Sequence, residues 1–270
     1  MKKFLLFIFA FNLILSFGCD NQIICAEKYY CETFFYDSGT TYVQEEETII
    51  FDQYVMNETN ITNGIPNYEN YTQANSCAPM AGTIVLGYYD FYFPNLIPNF
   101  TSGYIYNKKF YYRMQNSAVN SLKENLYTLM GTNLINPGTS VNQFKNGLSK
   151  YVTSCGYNIS YPNCGNHVNI NNALSYINNN IPIVLFLDSY VYTPFSGYTI
   201  DSNSMFLVKR VSQNGHVVVV QGYREYLFYQ SNNLFRTDKY FIVSFGNGTQ
   251  GLLNINNVNS IDTSLAISIS

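Results

Sequence analysis

Between residues 75 and 89 the chain runs Asn75-Ser76-Cys77-Ala78-Pro79-Met80-Ala81-Gly82-Thr83-Ile84-Val85-Leu86-Gly87-Tyr88-Tyr89. From Cys77 onward this reads as a helix buried on all sides. Pro79 falls in the first turn, where a missing N–H forfeits no hydrogen bond. The small residues Ala78, Ala81 and Gly82 permit close packing, and Phe93-Pro94 closes the segment. Cys77 therefore stands at a helix N-terminus, where the peptide dipoles carry about half a positive charge. A thiol must become a thiolate to attack, and that position favours the anion. The same free N–H groups can hold an oxyanion. A structural cysteine would pack as well with any neighbours, so these neighbours favour a chemical role.

Working outward, Ser117–Met130 and Val141–Thr153 read as two amphipathic helices, separated by turn-rich Gly131-Thr132-Asn133 and Asn136-Pro137-Gly138-Thr139. A fourth short helix is expected at 169–179. The second half then changes character. Apolar or alternating runs at 183–187, 204–210, 216–222, 240–245 and 266–270, bounded by Gly, Asn and Asp, read as strands. Helices first and strands later predict an α+β fold with segregated layers. Upstream, 19–62 is polar, holds Glu45-Glu46-Glu47 as an expected solvated face, and is expected to be an N-terminal extension or short pro-segment. Asn63-Gly64-Ile65-Pro66-Asn67 marks the boundary of a main domain spanning 63–270.

Only two histidines exist, which narrows the search for a base. His216 follows Gln213-Asn214-Gly215 and opens the strand Val217-Val218-Val219-Val220-Gln221-Gly222-Tyr223, so a rigid edge aims its ring into a groove. His167, in Asn163-Cys164-Gly165-Asn166-His167, reads as a surface residue of a loop.

The N-terminus carries an address. Lys2-Lys3 precede an apolar run, Phe4–Phe17, shorter than the ~20 residues that span a bilayer, and Ser16-Phe17-Gly18 suits cleavage before Cys19. Residues 1–18 are thus expected to be a signal peptide, the alternative being a lipoprotein acylated on Cys19. Six sequons, at Asn57, Asn60, Asn70, Asn99, Asn158 and Asn247, agree with secretion. The expected destination is extracellular, or lumenal in the secretory or lysosomal pathway. In such a compartment Cys25 with Cys31, and Cys155 with Cys164, are natural disulfides closing small loops. Cys77 is then left over, unless it pairs with Cys19 or Cys31. Charged residues make up 11% and the net charge is −3, so no nucleic-acid footprint is present. Stable membrane association after leader removal is not expected, and the chain reads as a monomer.

The segment Asn75–Gly82, followed by Leu86-Gly87-Tyr88-Tyr89-Asp90, resembles the active-site helix of the C39-like branch of papain-like cysteine peptidases. Gly215-His216-Val217-Val218-Val219-Val220-Gln221-Gly222-Tyr223 resembles that group's histidine strand, and Tyr240–Gly248 the strand after it. The order and the gap of about 140 residues are also the family's. The resemblance covers roughly 65 to 250. It implies a two-lobed fold, with a helical lobe carrying Cys77 and an antiparallel sheet lobe carrying His216. It implies peptide hydrolysis through an acyl-enzyme, with His216 deprotonating Cys77 and then protonating the leaving amine, without metal or organic cofactor. The partner implied is a peptide or protein substrate.

Two positions depart from the family. The oxyanion glutamine usually stands six residues before the nucleophile; here that residue is Tyr71, and Gln73 is the nearest candidate. The Asn or Asp that orients the imidazole aligns with Phe245, which leaves Asn247, two residues on, as the candidate orienter and Asp201 and Asp238 as remote ones. These departures keep two other readings open: a catalytically silent papain-like module that binds peptides, and another acyl transfer, such as amidase or transglutaminase-like chemistry, on the same fold.

Overall fold

The computed structural model describes residues 29–35, 41–69, 73–134, 137–162, 170–212, 215–255 and 261–270. The leader, Cys19, Cys25, Cys164 and His167 lie outside them, and with them the expected Cys25–Cys31 pairing. At the centre lies helix α1 (Cys77–Asp90), buried at every residue from Ala78 to Asp90. A helix apolar all round must be covered all round. Helices α2 (Ser117–Leu129) and α3 (Val141–Ser154) cover one side, and a sheet covers the other. Local chemistry sets their starts. Asn116 Oδ1 accepts from the N–H groups of Ala118 and Val119, and Ser140 with Gln143 forms a capping box. A fourth helix, α4 (Ile170–Asn178), packs on the sheet. Each of the four ends within one residue of its expected position. The C-terminus of α1 is tied down by buried Asp90, whose carboxylate accepts from Ile97 N–H and Ser102 N–H, both at 2.8 Å.

Strands β1 (Tyr29–Phe35), β2 (Thr41–Ile50) and β3 (Gln53–Asn60) precede α1. A small hairpin, β4 (Gly103–Tyr106) and β5 (Lys109–Tyr112), follows it. Then come β6 (Ile159–Ser160), β7 (Ile183–Leu187), β8 (Tyr190–Pro194), β9 (Tyr198–Ile200) and β10 (Ser204–Ser212). The chain ends with β11 (His216–Gln230), β12 (Asn233–Ser244), β13 (Gln250–Asn254), β14 (Ile261–Ala266) and β15 (Ser268–Ile269). Among the described residues eleven strands join one sheet, ordered β1-β2-β10-β8-β13-β12-β11-β7-β14, with β3 on β11 and β9 on β10; β4–β5 and β6–β15 are separate pairs. Every pairing is antiparallel. The fold is therefore α+β.

Two cores follow. The larger lies between the helices and the sheet and includes Met80, Ile84, Leu126, Phe144, Val184 and Val218. The smaller, with Ile49, Phe51, Tyr226, Phe228, Tyr240 and Ile242, fills the far end of the sheet. Strand β11 joins them. Its first five residues pair with β7, and from Gly222 onward it pairs with β3.

Residues 41–60, in the stretch expected as an extension or short pro-segment, lie in the main sheet: β2 runs along the whole of β10 and β3 along just over half of β11. Ile49 and Phe51 belong to the smaller core. Glu47 is not part of a solvated face either. It meets Lys209 and accepts from Arg236 Nη1 at 2.9 Å and Nη2 at 3.3 Å, while Arg236 also grips buried Asp238. Burial opposes ionisation of Glu47, but the two cations prevail and hold its carboxyl down at about 2.

The expected Cys155–Cys164 pairing also reaches outside the described residues, at Cys164. Cys155 carries a free thiol at the C-cap of α3, within hydrogen-bonding reach of the Tyr151 hydroxyl.

Two predictions follow from this packing. A Cβ at Gly147 would stand 2.7 Å from the Met130 backbone nitrogen, so α2 and α3 touch only because Gly147 has none. Gly147→Ala should destabilise the protein by about 1–3 kcal/mol in urea unfolding. Because its pKa is depressed in the folded state, Glu47 contributes stability above its ordinary pKa of 4.5, which is lost as the pH falls towards about 2. Glu47→Gln should lower the unfolding midpoint at pH 7 and flatten the loss of stability across that acid range.

Candidate active site

Two rigid elements present the chemistry. Cys77 is the first residue of α1, and His216 is the first residue of β11, against which α1 packs. Both elements run into the main core, so neither end can drift far. Ser76 precedes α1 without capping it; its hydroxyl donates instead to the Gln73 carbonyl at 2.8 Å. An N-cap would have satisfied a first-turn N–H at a gain of about 1 kcal/mol. Leaving the turn open keeps its donors directed at whatever sits above it.

The sulfur of Cys77 is hydrogen-bonded to the His216 side chain and accepts from the main-chain N–H groups of Ala78 and Val217. The thiol is otherwise free. Burial alone would push the Cys77 pKa up. The imidazole, its charge and the two N–H groups overcome that and hold the thiol below its ordinary range. Burial alone would push His216 down, yet the bond to Cys77, the sulfur's charge and the Phe245 carbonyl raise it. Both directions favour a thiolate facing an imidazolium. These shifts have geometric causes: a helix end, a strand edge and one shared hydrogen bond.

On the far side of the ring, His216 Nε2 stands 3.0 Å from the main-chain carbonyl of Phe245. That leaves Nδ1 for the sulfur. The rings of Tyr190 and Phe245 lie nearly parallel to the imidazole, tilted by 25° and 20°, at centroid distances of 5.7 and 6.2 Å. Tyr192 packs on Phe245 at 4.3 Å. The Tyr190 hydroxyl is held by Ser212, and burial keeps it protonated.

A cleft of about 800 Å³ opens over the pair. Its lining includes Asn75, the stretch from Pro137 to Asn142, Leu187, Asp188, Gly215 and Asp262. Asn75, at φ +58°, donates to Asn133 Oδ1 at 2.9 Å, and Gly138 N–H donates to the same oxygen at 2.7 Å. The loop before the nucleophile and the loop before α3 are thereby fastened together.

The structure thus brings Cys77 and His216 together and leaves the other candidates aside. Asn247 is exposed, and its Oδ1 accepts from Thr249 N–H at 3.0 Å. It does not face the ring, because the positive φ of Gly246 turns the chain just beyond β12 and ends the strand alternation that would have aimed it inward. Gln73 is half-buried in the loop before α1 and is not among the described residues lining the cleft. Asp238 belongs to the ion pair with Arg236 in the smaller core. Asp201 sits at the turn before β10. Sequence reasoning missed the Phe245 carbonyl and the Val217 N–H, main-chain atoms that no residue type announces. It also missed Tyr190, whose place depends on strand order.

The chain belongs to the Peptidase C39 like family, whose model matches residues 62–248. No curated protein and no solved structure matches it. The matched stretch holds both Cys77 and His216, and it begins just past β3.

The pair predicts a reactivity. Iodoacetamide should alkylate Cys77 at pH 5–6, where a thiol of ordinary pKa, about 8.5, is almost wholly protonated. His216→Ala should move that reactivity up by more than one pH unit. Mass-spectrometric mapping of the alkylated cysteine against pH measures both.

Proposed function

We propose that this protein is a secreted cysteine peptidase in which Cys77 attacks the scissile carbonyl and His216 manages the protons. The single observation carrying the reading is the hydrogen-bonded Cys77–His216 pair at the floor of the cleft. In the resting pair the proton sits on Nδ1. The thiolate adds to the carbonyl carbon, and the oxyanion is held by the open first turn of α1, where the Cys77 N–H is in reach. His216 then gives its proton to the leaving amine, and the acyl-enzyme forms. Water, deprotonated by the same ring, attacks the acyl carbon and releases the thiolate. Gln73 has no assigned part in this sequence of events.

The helices carrying Cys77 and the sheet carrying His216 are read as the two lobes of a papain-like arrangement, with the cleft between them. Secretion rests on the leader at 1–18. It is supported by the sequon residues Asn57, Asn60, Asn99, Asn158 and Asn247, all exposed. The partner proposed is an extended peptide or protein segment laid along the cleft.

Incubation with a peptide library should yield products that appear with the parent and fall by at least about 10³-fold with Cys77→Ala or His216→Ala. A trapped acyl-enzyme on Cys77 should be visible by mass spectrometry after acid quenching. Peptide binding without turnover by the parent would instead make this a peptide-binding module, and amide exchange without hydrolysis would make it a transferase.

A further inference from the structure

The pair needs something behind the imidazole, and the side chain expected there is absent. We propose that the main-chain carbonyl of Phe245, held in place by the turn at Gly246, is the orienting acceptor for His216. This rests on the Cys–His reading above. A carbonyl can only accept, so Nε2 must carry a hydrogen in both charge states of the ring. Nδ1 is then the atom that exchanges a proton with Cys77: an acceptor when neutral, a donor when charged. A wrong tautomer would leave Nε2 and the carbonyl facing each other as two acceptors 3.0 Å apart. Unlike a carboxylate, the carbonyl neither titrates nor adds charge, so it orients the ring identically at every working pH.

Three features hold that oxygen in position. Phe245 N–H donates to the Thr249 carbonyl at 3.0 Å, closing a tight turn. Gly246 takes φ +69°, which L side chains rarely adopt. A Cβ on Gly246 would also stand 2.8 Å from Cγ of Met80. Met80 lies on α1 one turn beyond Cys77, so the helix that carries the sulfur also braces the turn that carries the acceptor. The ring plane has its own support from the stack of Tyr190 and Phe245. Asn247, the side-chain alternative, is spent on Thr249 N–H. Phe245 and Gly246 are positioning residues in this account, since they act through His216.

The tautomer is directly readable, because the chain has only two histidines and His167→Ala leaves one. In that variant labelled with ¹⁵N-histidine, His216 should show a protonated Nε2 above and below its titration, with a downfield, slowly exchanging proton. A neutral form protonated at Nδ1 would overturn the proposal. Gly246→Ala should move the acid limb of Cys77 alkylation to higher pH, because an imidazolium with weaker support leaves the thiolate less of its cation. Reactivity at pH 6 should fall at least tenfold, the equivalent of one pKa unit. A merely misfolded fraction would lower the amplitude and leave that limb in place, which would count against the proposal. Asn247→Ala should leave that limb where it is; a shift like that of Gly246→Ala would assign the role to Asn247 instead. The NMR measurement reads the carbonyl bond whether or not any peptide is cleaved, so its failure and the failure of the peptidase reading are separate results.

Discussion

One contact carries the rest of the molecule: the docking of the first turn of α1 against the first residues of β11. The helix is sheathed in apolar side chains along its whole length, and the strand is a run of valines that pair with β7 and sink into the same core. Burial of these two elements is the driving force of the larger core, worth roughly 25 cal/mol for each Å² of apolar surface removed from water. Where the two elements meet, the core leaves their first residues, Cys77 and His216, partly open. A thiol and an imidazole at those ends are pushed together by packing that would exist without them. The strain of holding two groups that both resist burial is therefore met by hydrophobic contacts elsewhere, as is usual where reactive groups are kept poised.

How much of this was legible from the residues depends on how local each signal is. Helices α2 and α3 announce themselves through 3.6-residue periodicity and turn punctuation, α1 through an unbroken apolar run with Pro79 in its first turn, and all four stand where expected. The cores of β7, β11 and β12 are equally visible, as uninterrupted Val, Ile and Phe. Their lengths were not. Strands β11 and β12 continue to a two-residue turn at Ser231-Asn232, both at positive φ, where Asn-Gly would have been the recognisable signal. The same applies to Asn107-Lys108 between β4 and β5. Strands β2 and β3 were missed because their sequence is polar and acidic. What makes them strands is the partner edge of β10 and β11 and the cations of Lys209 and Arg236, none of them nearby in the chain.

The site divides along the same line. Cys77 and His216 were found because residue type, flanking glycine or proline, and position at an element's end all pointed the same way. The group behind the ring was sought among side chains, and the structure puts a backbone oxygen there. Residue identity carries no information about such an atom. The sequence did hold a trace of it in Gly246, a residue whose freedom the turn requires, next to a phenylalanine where a polar residue was expected.

The two acidic strands have a consequence for how such a chain is controlled. Thr41 to Asn60 is woven into the sheet, β2 between β1 and β10 and β3 along β11, so clipping within it would tear out a seam of the finished fabric rather than lift a lid. Any maturation cut that spares the fold has to fall ahead of Thr41. The long polar prelude is in its second half as much a part of the folded body as the helix that bears the sulfur.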